Sequence, residues 1–372
     1  MVDLAVVGAG IVGLAHALAA ARAGLSVLVM DREARPNGAS IRNFGFVTVT
    51  GQGWPDTWRR ARRSRAIWAE VAPRAGIAIS HGGLYVVARR AEALAVLEEF
   101  AAGQMGEGCR ILTGEMLPSP FRRGLAGALF SPHELRVEPR EAIPRLVAWL
   151  QAEFGVRFLW RTHVRAIEPP RLETNAGSFV ADRIVVCPGN DFLSLYPETI
   201  ADYAPLRCKL TMLRLAAPGW RLPAAVMSDL GLARYQGYAG LAGLDRLRAR
   251  LSAEQPDALA NGVHLIVVQS ADGSLVIGDS HHYDVTPDPF MASAVEELIL
   301  EEARAVLDLP REMRVIERWV GEYPSASVPA FIASPHPAVR VVLVTSGTGM
   351  STAFALAEEA LAGLGIPAAA TA

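Results

Sequence analysis

The chain has 372 residues, with 36 Lys plus Arg against 38 Asp plus Glu and a formal net charge of -2. That balance argues against a nucleic-acid or anionic-membrane binder, which needs a basic surplus. At 51% hydrophobic and 20% charged, the chain is too apolar to be disordered and long enough for two domains with their own cores.

The opening predicts a βαβ unit, with a buried strand at Leu4–Val7, an alanine-rich helix at Ile11–Ala23 and a second buried strand at Leu25–Met30. The apolar stretch lacks a basic leader and is broken by Gly8, Gly10, Gly13 and Arg22, unlike a signal peptide. No other run approaches the roughly 18 apolar residues of a membrane span, so a soluble, cytoplasmic protein is expected. Helical periodicity covers Asp56–Ala75, where Arg59, Arg60, Arg62, Arg63 and Arg65 read as a solvated face. A strand at Gly82–Val87 follows a turn at His81, itself expected near the surface, and a helix covers Ala91–Met105.

Further on, the pattern predicts a helix from Glu138 to Phe154, a strand at Val156–Trp160, a hairpin over Arg171–Phe179 and a buried strand at Arg183–Cys187 stopped by Pro188 and Gly189. From Pro205 to Val320 alternating strands at Leu210–Leu215, His264–Gln269 and Leu275–Ile277, with an acidic helix at Met291–Leu307, read as a separate antiparallel layer. Arg234 and Tyr235 are expected on a strand after Leu230–Leu232. A buried strand at Val339–Thr345, a Gly-Thr-Gly turn and a helix at Ser351–Leu364 close the chain before an alanine-rich tail. Three cysteines, Cys109, Cys187 and Cys208, have no metal-type or C-x-x-C spacing, so neither a disulfide framework nor a metal is expected.

Gly8-Ala9-Gly10-Ile11-Val12-Gly13 is a G-x-G-x-x-G between a strand and a helix. Its glycines permit the tight turn, the approach of a pyrophosphate and close helix-strand packing. Asp31 ends the next strand, beside Arg32, where an acidic group can bond an adenosine ribose. A helix N-terminus adds its dipole toward phosphate. FAD and NAD both fit this unit.

Three further segments are similar to the D-amino acid oxidase family of flavoproteins, the group with glycine oxidase and sarcosine oxidase. They are Gly38-Ala39-Ser40-Ile41-Arg42-Asn43, Val185-Val186-Cys187-Pro188-Gly189-Asn190 and Ser346-Gly347-Thr348-Gly349-Met350-Ser351. The resemblance implies FAD as cofactor, non-covalently held. Ser40, Arg42 and Asn43 would give donors to the pyrophosphate and ring, and Pro188 and Gly189 would stand near the cofactor. Residues Gly347 to Ser351 would point at the flavin's pyrimidine edge, and the backbone of Val164 would contact adenine. It implies a two-domain α/β fold, a Rossmann-type FAD domain from residues 1–80, 137–207 and 318–372, and a mainly antiparallel substrate domain from 81–136 and 208–317.

One departure bears on substrate. Where glycine oxidase has W-x-G-x-R-P with a carboxylate-binding arginine, this chain reads Trp319-Val320-Gly321-Glu322-Tyr323-Pro324. A tyrosine lacks the charged fork that grips a carboxylate, unless another strand supplies it. Segments Ser40–Phe46, Cys208–Leu213 and Gly278–Tyr283 resemble a subgroup associated with phosphonate catabolism. This implies oxidation of the C-N bond of 2-aminoethylphosphonate or its N-methyl derivative, with dioxygen or a quinone as electron acceptor. Glycine, sarcosine or a D-amino acid is the alternative, and an FAD monooxygenase or a non-catalytic FAD subunit lies further off. Lys209, Arg234, Tyr235, His282 and Tyr323 are the candidate anion-binding side chains, Lys209, His282 and Tyr323 also the candidate catalytic ones. Lys209 is the chain's one lysine. Of His281 and His282, alternation sends one toward the site and one toward solvent. No paired-carboxylate or Ser-His-Asp set stands out, in keeping with redox chemistry carried by the flavin.

Overall fold

A computed structural model describes residues 1–367. Residues 368–372, the end of the alanine-rich tail and of the expected third FAD segment, lie outside the described residues. Strand β1 (Val2–Val7), helix α1 (Ile11–Arg22) and strand β2 (Val27–Met30) form the opening unit. β1 lies parallel to β2 and to Gly177–Val186, which in turn lies parallel to Val339–Ser346, while Arg157–Leu159 runs parallel to β2 on the other edge. β2, Ile184–Val186 and Val341–Val344 are buried apolar runs because both faces are covered there. Helix α1 packs there with Pro139–Phe154 and Gly349–Ala362, and the hairpin strands Val164–Glu168 and Arg171–Thr174 close the other face.

The second layer is mostly antiparallel. Leu206–Leu215 pairs with Val315–His336 and with Leu275–Gly278, which leads through Ile266–Gln269 to Ala225–Ser228. Ala225–Ser228 then pairs parallel with Ile79–Ala88, next to Gly127–Val137 and Arg110–Thr113. Val315–His336 also pairs with Val339–Ser346, so it stitches the two layers together. Each expected domain boundary, at 80, 136, 207 and 317, falls inside one of these strands. The chain therefore passes between layers through hydrogen-bonded strands.

Packing changes three sequence expectations. The arginine run is a solvated face only in part: Arg59 and Arg62 are exposed, over Trp54 and Trp58, while half-buried Arg60 and Arg63 form two-pronged ion pairs with Glu359 and Glu358 of the C-terminal helix and Arg65 donates to the His133 carbonyl. His81 is buried, and its Nε2 accepts the Gln269 N–H at 2.8 Å. Burial and the charge of Arg136 hold it neutral, down to about 4. The segment before Arg234 is a 3-10 turn, Asp229–Ala233, not a strand. Buried Asp229 accepts from Arg89 N–H and pairs with Arg90 at 2.9 Å, ending strand Ala225–Ser228 at that point.

Candidate active site

A cavity of about 750 Å³ runs from the C-terminal ends of β1 and β2 into the antiparallel layer, where ligands of open α/β sheets sit. At its first end the backbone makes the room. Gly8 has φ +102°, and a Cβ there would come within 2.4 Å of the Cys187 carbonyl; one at Gly13 would come within 1.9 Å of the Gly8 carbonyl. Both positions exclude any side chain, and α1 thereby reaches the sheet with its N-terminus facing the cavity.

Side chains from remote loops fix this end. Ser40 Oγ accepts the Ile11 N–H at 2.8 Å, capping α1 from outside its own sequence. Asp31 accepts the Ala9 and Glu33 N–H groups at 2.7 and 2.8 Å, so the strand end and the glycine turn share one carboxylate. Asn43 bonds the Ala39 carbonyl and the Gly45 N–H, and the Arg42 carbonyl accepts the Trp319 indole. Arg32 pairs with Asp191 at 2.7 Å. Ser351 Oγ accepts the Thr48 N–H at 2.9 Å, and the Met350 carbonyl accepts the Trp68 indole, which places the N-terminus of Gly349–Ala362 against the same cavity. Gly10, Val12, Val164, Pro188, Gly189, Gly347 and Thr348 also line it.

The inner end is built from side chains. Arg234 reaches in from the end of the 3-10 turn, its Nη2 2.7 Å from the Tyr283 hydroxyl and 3.3 Å from that of Tyr323. Tyr323 in turn packs on Gly347: a Cβ at that glycine would come within 3.0 Å of the ring. Tyr235, His264, Asp279 and His281 complete this wall. Of the sequence candidates, Arg234, Tyr235 and Tyr323 therefore come together.

Lys209 and His282 are corrected: neither lines the cavity. They pair across strands and share the opposite face. The Lys209 ammonium donates to Asp288 and to the Phe290 carbonyl, both at 2.8 Å, holding down the segment after Tyr283. His282 bonds Asn261 at 3.1 Å. His281, just before strand His282–Asp284 and held by the turn at residues 261–262, lines the cavity instead.

His264, Asp279 and His281 form a buried group whose nearest side-chain atoms lie within 4.8 Å of one another. Asp279 Oδ1 is 3.2 Å from His264 Nδ1, and Oδ2 is 3.8 Å from His281 Nε2. Such a set can hold a cation, but the Arg234 charge reaches all three and opposes one. Burial raises the Asp279 carboxyl to about 7 against the pull of Arg234. Burial, with Arg234, pushes both imidazoles well below their ordinary value. This group is neither a Ser-His-Asp nor a paired-carboxylate set, and neither Asp279 nor His264 is among the candidates named from sequence. Asp279 and His281 sit two residues apart in the connection between strands Leu275–Gly278 and His282–Asp284. His264 joins only because its backbone N–H and carbonyl pair with those of Asp279 at 3.2 and 3.1 Å.

No curated protein matches the sequence significantly. A family model described as FAD dependent oxidoreductase matches residues 3–362. Among solved structures, the chain is similar to glycine oxidase from Geobacillus kaustophilus, with 20% identity, TM-score 0.77, and 98% of this chain and 94% of that one covered. It is also similar to an L-alpha-glycerophosphate oxidase from Mycoplasma pneumoniae solved with FAD bound, at 16% identity, TM-score 0.77 and coverage of 100% and 97%. A third is iminodiacetate oxidase from Chelativorans sp. BNC1, at 17% identity, TM-score 0.72 and coverage of 99% and 97%. At such identities the likeness is one of fold.

Proposed function

We propose that this chain, which belongs to the FAD-dependent oxidoreductase family, oxidises the C-N bond of a small amine that carries an anionic group. The residues present fit FAD. The glycine cradle leaves no room for side chains at Gly8 and Gly13, and the N-terminus of α1 suits a pyrophosphate. Asp31 and Val164 line the cavity, where the family resemblance would have them meet a ribose and adenine. FAD, when bound, supplies the acceptor of two electrons from the carbon beside the amine nitrogen.

The observation that carries the substrate class is Arg234 standing with Tyr283 and Tyr323 at the inner end of the cavity. A guanidinium and two phenols offer separated donors around one point, which suits the three oxygens of a phosphonate. We therefore favour 2-aminoethylphosphonate or its N-methyl derivative, yielding an imine that water hydrolyses to an aldehyde plus ammonia or methylamine. The protein positions the amine, shields it from bulk water and grips its anion.

A second reading rests on the same arginine. Arg234 comes from another segment to the place where Tyr323 replaces the expected arginine, so a carboxylate could also be gripped, as glycine, sarcosine or D-alanine would require. The test is anaerobic bleaching of the bound flavin, without NAD(P)H, by these three compounds and by 2-aminoethylphosphonate and its N-methyl form. Fastest reduction by the phosphonates supports the first reading, and by the amino acids the second. No reduction by any of them overturns both.

A further inference from the structure

We infer that Asp279, set between His264 and His281, is the group that takes the proton from the substrate's ammonium before its carbon is oxidised. The inference rests on the amine reading above and adds a named acceptor to it.

The hydrogen-bond pattern defines where that proton goes. His281 Nδ1 lies 2.9 Å from the Gly262 carbonyl, which can only accept, so Nδ1 carries the hydrogen. Its Nε2 then presents a lone pair toward Asp279 Oδ2. On the other side the Tyr235 hydroxyl stands 3.5 Å from His264 Nε2. Asp279 Oδ1 stands 3.2 Å from His264 Nδ1, yet neither atom has a hydrogen-bond partner. One carboxylate oxygen is thus unpaired and the other faces a lone pair. Two acceptors facing each other in a buried wall create a vacancy for one proton, and that wall lines the cavity beside Arg234.

The groups that face Asp279 come from every neighbouring element. They are His264 from the segment before Ile266–Gln269, Arg234 and Tyr235 just after the 3-10 turn, His281 from the same connecting segment as Asp279, and Cys208 from Leu206–Leu215. Arg234 supplies the one fixed positive charge among them. It keeps the carboxylate available as a base near neutral pH while burial keeps it from being permanently ionised. In the step, one N–H bond of the ammonium breaks and one O–H bond forms on Asp279. The electron pair stays on nitrogen, where it assists loss of hydrogen from the neighbouring carbon. Aliphatic ammonium groups titrate near 10, so only about one in a thousand is neutral at pH 7 without such an acceptor.

The experiment uses the holoenzyme and whichever amine of the panel bleaches it. For Asp279→Asn, flavin reduction at about pH 7 should fall roughly 100-fold. It should then recover about tenfold per pH unit toward pH 9, as solvent removes the proton instead, while the wild type levels off. A variant that keeps the wild-type pH profile overturns the inference. Should that variant lose its flavin, His281→Gln decides: its amide donor should stabilise the carboxylate and move the acid limb down by about one unit, and an unmoved limb refutes the role. Infrared spectra of the wild-type holoenzyme need no substrate. They should show a protonated-carboxyl band that titrates near neutral pH and is missing from Asp279→Asn. Its absence from the wild type, or a stoichiometric divalent metal in the purified protein, overturns the inference even where an amine reduces the flavin. A panel that fails altogether while the band is present sinks the amine reading instead.

Discussion

The two ends of the cavity are built on different principles. The first end is made of backbone: glycines that leave space, helix N-termini, and polar side chains such as Ser40, Asp31 and Asn43 whose partners are main-chain groups. The inner end is made of side chains that meet one another, with Arg234 on Tyr283 and Tyr323 and the histidines on Asp279. A backbone site tolerates little change at its glycines but asks nothing of distant residues. A side-chain site can be retuned one residue at a time, and it depends on strand register to bring its members together.

That contrast can be broken most sharply at Gly13. A valine there collides with the Gly8 carbonyl, an overpacking cost of about 3 kcal/mol or more. Flavin affinity should fall at least about 100-fold, read as the flavin-to-protein ratio after gel filtration, with far-ultraviolet circular dichroism reporting whether the fold is kept. Next comes the buried carboxylate. Because the Asp279 carboxyl is raised from 3.8 to about 7, its contribution to stability is full below about pH 4 and lost as pH rises through about 7. Asp279→Asn lacks that loss, so the stability difference, read from Tm, should shift in the variant's favour between about pH 4 and pH 7, by an amount on the order of a few kcal/mol. A difference that is flat with pH would show the group ionised throughout.

Arg234→Met should raise the substrate Kd roughly 30-fold, the loss of a charged hydrogen bond of about 2 kcal/mol, while leaving flavin content unchanged. Equal loss of both would mean that the two ends are not separable. Replacing Arg60 and Arg63 with alanine removes two partly exposed ion pairs to the C-terminal helix. Each is worth about 0.2–1 kcal/mol, so Tm should drop by a few degrees at most. The smallest effect is expected for Lys209→Met: with its ammonium on the far face, bound to Asp288, the KM for the amine should stay within about twofold. A large rise in KM would return Lys209 to the site.

The opening βαβ unit, the cofactor turns and the acidic end of β2 were legible because each is a local string whose chemistry is written in consecutive residues. Strand and helix positions were legible for the same reason, through apolar periodicity. The inner wall was legible only in fragments. Tyr323 and Arg234 could be named, but their approach depends on how Val315–His336 pairs with Leu206–Leu215 and on where Asp229 ends its strand. Choosing His282 and Lys209 failed for one shared reason. They are partners across the sheet and so face the same way, away from the cavity, and only the turn at residues 261–262, which binds both the N–H and the ring of His281, fixes that direction.

By itself, then, the sequence determined a glycine turn and helix ends suited to a dinucleotide cofactor, since those needs are met within short stretches of chain. The tertiary structure alone decided which ionisable groups share the inner wall. Strand register and face set a side chain's neighbours, and those neighbours set its charge: the same fold turns His81 into a backbone acceptor, the arginine run into an anchor for the C-terminal helix, and Asp279 into a buried carboxyl poised near neutrality.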